Sequence, residues 1–372
     1  MLNVVYDYQV FYCQRYGGIS RYFYELATKL RNHDEITPLI FAPVHMNQYL
    51  LNCPPGLVLG KYLPFIPKMS RPRNWFNAAL SSLYFRSTFK RLSPSIVHET
   101  YYSTVKLASA NTKTILTVYD MIHEKFASLF RHGDRTAFVK ASAIKRADQV
   151  ICISESTRND LLETLDIHPG KVSVVHLASS FTLDHNVAPK ICTKKKPYII
   201  YVGDRGGEYK NFQSLLDAYA CSKRLMIDFK ILCFGGGSFS SKEKKLIQQI
   251  GLSPDNIEQI SGDDSVLAFC YRNAAAFVYP SLYEGFGIPL LEAMNCLCPV
   301  VCSNTSSFPE VAGDAAEYFD PYNVDSIVHA LETVLYSTGR SQELIELGKK
   351  RSCRFSWDIC AEKTADIYRA LI

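Results

Sequence analysis

Nowhere in its 372 residues does the chain hold an uninterrupted apolar run near the ~20 residues that a membrane-spanning helix needs. A basic signal-peptide start is also missing. Met1-Leu-Asn-Val-Val-Tyr-Asp7 enters a strand-like run at once, so the protein is expected to stay in the cytosol. Cysteines are present but lack the pattern of a framework: the twelve are scattered, and Cys152, Cys233 and Cys270 sit inside apolar runs. They are expected to be reduced core residues. The one cluster, Cys296-x-Cys298-x3-Cys302, has no neighbouring His or second Cys pair, and no structural metal is expected. Acidic residues are absent from 36–97, where Lys61, Lys68, Arg71, Arg73, Arg86, Lys90 and Arg91 lie. These seven cations exceed the net charge of +5, so the rest of the chain is slightly acidic.

What is there describes a globular protein of two domains, since 372 residues exceed one comfortable core and the 47% hydrophobic content supports two. The basic segment carries Trp75, Phe76, Leu80, Leu83, Tyr84 and Phe89, and 74–90 reads as an amphipathic helix. Its aromatic face either packs on a core or touches anionic lipid headgroups. Nucleic acid is not an expected partner, because no binding motif accompanies the charge.

Strand-like runs at 3–6, 36–41, 95–98, 114–119 and 149–153 alternate with helix-like 19–30 and 134–146. After a Lys- and Pro-bearing stretch, strands at 198–202, 228–233, 257–260 and 274–279 alternate with helices at 211–221, 242–250 and 265–273. This predicts an α/β protein with two doubly wound parallel sheets. A final amphipathic segment, 356–371, has apolar positions at Ile359, Cys360, Ala361, Ala365, Ile367 and Leu371. Two such sheets place the carboxyl ends of their strands around one cleft, where ligands bind.

The most informative stretch is Tyr279-Pro-Ser-Leu-Tyr-Glu284-Gly285-Phe286-Gly287-Ile288-Pro289-Leu-Leu-Glu292. An interior strand leads to a glycine turn that permits close approach of a ligand, and Pro289 suits the first turn of a helix. Free N–H groups and the dipole at that helix start favour phosphate. Glu292, one turn in, is placed to accept hydrogen bonds from vicinal hydroxyls. Phosphate below and diol above describe a nucleotide sugar. The alternative is a solvated turn with ordinary strand-to-helix glycines. After strand 198–202, the turn Gly203-Asp-Arg205-Gly-Gly-Glu-Tyr-Lys210-Asn211 offers two cations to a diphosphate, or two ordinary surface charges. Asp263-Asp264-Ser265 reads as an N-cap rather than a metal pair.

The 279–292 string resembles the Glu-x7-Glu motif of the retaining glycosyltransferases of family 4, which have the GT-B fold. Gly203-x-Arg205…Lys210-Asn211 is similar to that family's diphosphate-contacting element, and Phe234-Gly235-Gly236-Gly237 looks like its turn bordering the base. The resemblance implies an acceptor-binding domain over 1–185, completed by a crossover helix at 356–372, and a donor-binding domain over 186–355. It implies that Arg205 and Lys210 hold the diphosphate, Glu292 the ribose and Glu284 the transferred hexose, with help from Phe286, Gly287 and Ile288. The mechanism implied is transfer on one face of the sugar, the departing phosphate helping to deprotonate the acceptor, without a protein-held metal.

On the opposite wall, Tyr16-Gly17-Gly18-Ile19-Ser-Arg21-Tyr22 resembles the family's Gly-Gly turn, with a plain turn and cap as the alternative. In Val118-Tyr119-Asp120-Met-Ile-His123-Glu124, the family often has His where Tyr119 stands, so Tyr119, Asp120 and His123 are all candidates near the sugar. Ser154-Glu-Ser-Thr157 resembles the family's Ser-Glu-x-Thr, a capping-box variant. His98, at a strand end, meets either the acceptor or a structural partner. Gly-Gly-Ile-Ser-Arg-Tyr and Tyr-Asp-Met-Ile-His-Glu look most like bacterial mannosyl- and rhamnosyltransferases of O-antigen synthesis. A GDP-linked hexose and a glycan or lipid-linked glycan acceptor are therefore implied. A UDP-sugar donor, an epimerase or hydrolase of the same fold, and a non-catalytic membrane-associated assembly protein are the alternatives.

Overall fold

The computed structural model describes residues 1–64, 88, 91–109, 111–181 and 196–372. Of the seven basic-segment cations, only Lys61 and Arg91 are among these. The amphipathic reading of 74–90 and the expected boundary at 185/186 lie outside the described residues.

The first sheet contains β1 (Leu2–Tyr6), β2 (Ile36–His45), β3 (Val58–Tyr62), β4 (Ile96–Glu99), β5 (Lys113–Val118), β6 (Gln149–Cys152) and β7 (Val172–Val174), in the order β3-β2-β1-β4-β5-β6-β7. The second contains β8 (Tyr198–Val202), β9 (Lys230–Phe234), β10 (Ile257–Ile260), β11 (Ala276–Tyr279), β12 (Val300–Ser303) and β13 (Glu317–Phe319), in the order β10-β9-β8-β11-β12-β13. All pairings are parallel. Both sheets are doubly wound, as the alternating pattern predicts. Parallel strands covered on both faces must be apolar on both, and the central strands satisfy this by alternation. In β8, Ile199 and Tyr201 enter one apolar core while Tyr198 and Ile200 enter another; in β11, Ala276 and Val278 are divided in the same way from Phe277 and Tyr279.

Helices of eight or more described residues are α1 (Gly18–Leu30), α2 (Thr136–Arg146), α3 (Glu155–Thr164), α4 (Phe212–Cys221), α5 (Ser241–Gln249), α6 (Asp264–Asn273), α7 (Ile288–Asn295), α8 (Val324–Leu335), α9 (Thr338–Ser352) and α10 (Trp357–Leu371). Several begin at side-chain caps: Asp263, read as a cap from the sequence, and Ser356 each accept from the third amide beyond, and Ser240 forms a capping box with Glu243. None of the described helices is long and apolar enough to cross a membrane.

Helix α10 packs on α1 of the first domain. Trp357, Cys360, Ala361, Thr364, Ala365 and Tyr368 form its buried stripe, at the spacing of one helix face. Tyr368 ends that stripe in a buried polar chain. Its hydroxyl lies 3.1 Å from the Tyr6 hydroxyl and 2.7 Å from His98 Nδ1, and His98 Nε2 lies 2.8 Å from Thr117 Oγ1. Of the two expectations for His98, the structural one holds: the ring is fully buried, both nitrogens have partners, and burial lowers its pKa to about 3, so it stays neutral. Tyr368→Phe would strand two buried groups, with an expected cost of about 1–3 kcal/mol. Urea unfolding measures it, and an unchanged midpoint would mean the chain adds nothing to stability.

Candidate active site between the two sheets

Strand order reverses between β1 and β4 in the first sheet and between β8 and β11 in the second. Loops leaving neighbouring strands on either side of such a switch diverge and leave a crevice. The two crevices face each other across a cleft of about 390 Å³. Its walls include Gly17, Gly18, Arg21, Tyr49, Tyr119 and Asp120 from one side, and Asp264, Glu284, Gly285, Phe286, Gly287, Ile288 and Glu292 from the other.

The second wall is the strand-turn-helix unit read from the sequence. Gly287 caps α7 with φ of 95°, a left-handed conformation that favours glycine, and among the described residues no side-chain cap bonds the helix's first amides. Ser306 and Ser307, from the loop after β12, fix the turn. The Glu284 amide donates to Ser306 Oγ at 3.0 Å, and the Ser307 hydroxyl reaches the carbonyls of Glu284 and Phe286, each at 2.9 Å. An anion entering here meets an amide-rich helix start already held in place.

Gly285 is required for a different reason. A Cβ there would stand 1.7 Å from the Tyr119 carbonyl oxygen of the opposite domain. Its own carbonyl accepts from the hydroxyls of Ser154 (2.6 Å) and Thr157 (3.1 Å), the two outer members of the Ser-Glu-x-Thr motif at the start of α3. Ser154 also caps α3. Nearby, Glu310 accepts from the amides of Glu155 and Ser156 and from His176, while the Tyr283 hydroxyl donates to Asp160 at 2.6 Å. Burial opposes the charge on Glu310, but His176 and the two amides hold its carboxyl below the usual range. The motifs of the two halves thus read each other directly.

Glu284 and Lys210 form an ion pair at 2.6 Å, and Ser281 donates to the same carboxylate oxygen at 2.8 Å. Burial works against the Lys210 charge, yet Glu284 keeps its pKa above the usual lysine value. Lys210 stands behind Glu284 instead of on the cleft wall. Glu292 is only 8% exposed, with the Tyr271 hydroxyl at 3.3 Å and Arg21 Nη1 at 3.9 Å. Burial raises its pKa to about 7, against the pull of Arg21. A carboxylate so poorly solvated is ready to exchange a thin set of partners for ligand hydroxyls.

Across the cleft, Tyr119 directs its hydroxyl back to the Thr100 carbonyl at 2.8 Å, so its backbone, not its phenol, meets the other domain. Asp120 accepts from the Ile122 amide at 3.0 Å and lies 3.6 Å from Lys140 Nζ. Lys140 is 1% exposed and also donates to the Asp120 carbonyl and to Glu124, each at 2.8 Å, pinning the whole loop.

Four expected site residues lie elsewhere. His123 stacks on Phe130 at 3.9 Å and does not line the cleft. Arg205, with its side chain 1% exposed, gives Nε to Glu243 at 2.6 Å, Nη1 to the Gly235 carbonyl at 2.8 Å and Nη2 to that of Gly237 at 2.7 Å. It borders a separate hollow with Lys242 and Lys245. Gly203 and Gly235 pack around this guanidinium and not on the cleft wall: a Cβ on Gly236, between them, would meet Arg205 at 2.7 Å and the Gly203 carbonyl at 2.9 Å. The glycine loop therefore receives Arg205 as an internal cation, and Glu243, which has no sequence signal linking it to Arg205, neutralises it.

Conversely, Arg21, Tyr49, Asp264 and Lys140 hold or line the site without having been expected to. Arg21 had a usable signal, since it follows Gly17 by one helical turn on α1. Lys140 had none, because a lysine in an amphipathic helix reads as solvated.

The fold has counterparts among known proteins. Residues 16–178 match the family model for Glycosyltransferase Family 4, and residues 186–351 the model for Glycosyl transferases group 1. The chain belongs to these glycosyltransferases and has their GT-B architecture. It is similar to O-antigen chain mannosyltransferase B of Escherichia coli, 29% identical over 251 residues that make up 64% of this chain and 65% of that one. The matched stretch thus falls just short of two thirds of that relative. O-antigen chain mannosyltransferase RfbU of Salmonella typhimurium is 24% identical over 323 residues, covering 85% of this chain and 87% of its own. Among solved structures, a sucrose-phosphate synthase from Thermosynechococcus elongatus superposes with a TM-score of 0.77 at 18% identity, over 100% of this chain and 99% of that one.

Proposed function

We propose that this glycosyltransferase moves a hexose, mannose or a related deoxyhexose, from a GDP-linked donor to a glycan or lipid-linked glycan in surface polysaccharide synthesis, with retention of anomeric configuration. The observation that carries the proposal is the joined wall of one cleft: an uncapped helix start at Gly287–Ile288, the buried Glu292 one turn on, and the Glu284–Lys210 pair. In this reading the diphosphate rests on the helix amides near Lys210, Glu292 accepts from the ribose hydroxyls, and Glu284 accepts from the hexose. The anomeric bond loosens toward an oxocarbenium-like state, and the leaving phosphate's growing charge meets amides and cation already in place. No residue is assigned as nucleophile. The acceptor hydroxyl attacks from the leaving-group face and gives its proton to the departing phosphate. Arg205 acts on the donor by shaping the Gly235–Gly237 loop, a change from the direct diphosphate contact that the family resemblance implies. No protein-held metal enters, and activity is expected to survive chelation.

Two relatives are named as O-antigen chain mannosyltransferases, which supports mannose and hence GDP. Incubation with GDP-mannose, GDP-deoxyhexoses and UDP-hexoses, with and without lipid-linked glycan, tests the reading by mass spectrometry of the products. Acceptor-dependent extension with release of nucleoside diphosphate is expected, and NMR of the new linkage reports retention. Free sugar or an epimerised donor without acceptor would favour the hydrolase or epimerase alternative.

We also propose a cytoplasmic protein that contacts the inner membrane face through the basic segment 61–91. Binding to phosphatidylglycerol-containing vesicles, weakening as salt shortens the Debye length from about 10 Å at 0.1 M, is the expected result. Equal binding to neutral vesicles would leave the segment as a folding element.

A further inference from the structure

A nucleoside diphosphate brings two or more negative charges into a cleft already lined by Asp120, Asp264, Glu284 and Glu292. Among the described residues, one cationic side chain faces that cleft directly. It is Arg21, from the domain opposite the donor motif. Its side chain is 13% exposed, its Nε donates to the Tyr49 hydroxyl at 3.1 Å, and its Nη2 is bonded to Asp264. Its Nη1 lies 3.9 Å from Glu292 Oε1, beyond hydrogen-bonding distance, with protons still to give. Asp264 is 51% exposed, so water can replace the guanidinium there at little cost. Glu292 is buried and depends on Arg21 for its nearest opposite charge. Arg21 also sits one turn beyond Gly17, its amide bonded to the Gly17 carbonyl, and Tyr49 holds the base of the fork beneath it.

We propose that Arg21 is a diphosphate ligand supplied by the first domain: parked on Asp264 and beside Glu292 in the empty cleft, its guanidinium moves to the donor phosphates when the ribose hydroxyls occupy Glu292. This rests on the nucleotide-sugar reading of the cleft and adds to it the coupling between domains. Guanidinium is suited to the exchange, because it stays charged while changing partners and its planar fork matches phosphate oxygens as well as carboxylate. The exchange links two events. Donor arrival removes the partner that Glu292 lends to Arg21 and offers a more highly charged one, and the second domain is then tied to the first through the substrate. Without donor, Arg21 is held across the mouth of the cleft by the weaker, more exposed Asp264 pair, which an entering phosphate can replace.

Calorimetric titration of GDP, UDP and their monophosphates into the full chain, wild type and variant, separates this role from a simple tie between domains. Arg21→Ala is expected to weaken the preferred diphosphate by about ten-fold or more, and the monophosphate by less, with Arg21→Lys between. Asp264→Asn is expected to leave diphosphate affinity equal or tighter, since it frees the guanidinium. A structural tie predicts the opposite for Asp264→Asn, a loss parallel to that of Arg21→Ala, and that result would overturn the proposal. So would an Arg21→Ala protein that melts as wild type and binds diphosphate with wild-type affinity. Wild type that binds no nucleoside diphosphate at all would instead defeat the reading of the cleft on which the proposal rests.

Discussion

Glu292→Ala is expected to give a folded protein that no longer binds a nucleoside diphosphate measurably. Glu292 is proposed to accept from two ribose hydroxyls, and hydrogen bonds to a charged group contribute about 1.5–3 kcal/mol each. Losing both corresponds to a drop of at least about 100-fold in affinity. The folded state has little to lose. Burial raises the Glu292 pKa to about 7, so near neutral pH its ionised form is disfavoured in the folded chain relative to the unfolded one, where the carboxyl titrates near its ordinary value. A raised carboxyl binds more protons when folded, so its contribution declines as pH climbs from the unfolded value to about 7 and then levels off. Removing it should leave the melting temperature unchanged or higher, the usual trade of a functional site against stability. Calorimetry and a thermal melt on the same sample check both halves. Unchanged affinity would contradict the donor assignment, and a collapsed melt would mean that Glu292 is a structural anchor.

Gly285→Ala is expected to abolish transfer while leaving each sheet intact. The added carbon would lie 1.7 Å from a backbone oxygen of Tyr119, and no rotamer change relieves a clash between two backbones. The domains must separate, which also pulls the Gly285 carbonyl from Ser154 and Thr157. A displacement of 1 Å between groups held on opposite walls costs on the order of 100-fold in rate. Turnover should therefore fall at least that far, with far-UV circular dichroism unchanged. Wild-type activity in Gly285→Ala would mean that the closed arrangement is not the working one.

How much of this was legible in the sequence depended on the range of the interaction. The units from β8 to α7 read clearly because β8, β9 and β11 are short, mostly apolar runs and the cap at Asp263 marks the start of α6. Val58–Tyr62, Val172–Val174 and Glu317–Phe319 were not legible, and all three are edge strands, the first largely exposed and the others only three residues long, with a faint apolar signal. β12 was masked in another way: its cysteine-bearing run invites a question about metal, whereas Val300, Val301 and Cys302 simply fill the cores. At the site, the glycine turn and Glu292 were visible because one segment holds them all. Arg205 was not. Its spacing from Lys210 matches a diphosphate clamp, but its direction is set by Glu243 and by three glycines whose carbonyls turn toward it. Partners 30 or more residues away decide where such a side chain points, and spacing within one loop carries no trace of them.

The same contrast supplies the most direct test. Among the described residues, two hollows gather more than one cation within reach of a phosphate: the cleft, with the α7 amides, Arg21 and the nearby Lys210, and the separate hollow beside Arg205, Lys242 and Lys245. A crystal structure of the protein with GDP would distinguish them. The account predicts the diphosphate within hydrogen-bonding distance of the amides at Gly287 and Ile288, with the ribose hydroxyls on Glu292. Phosphates lodged beside Arg205, with Glu292 untouched, would contradict it.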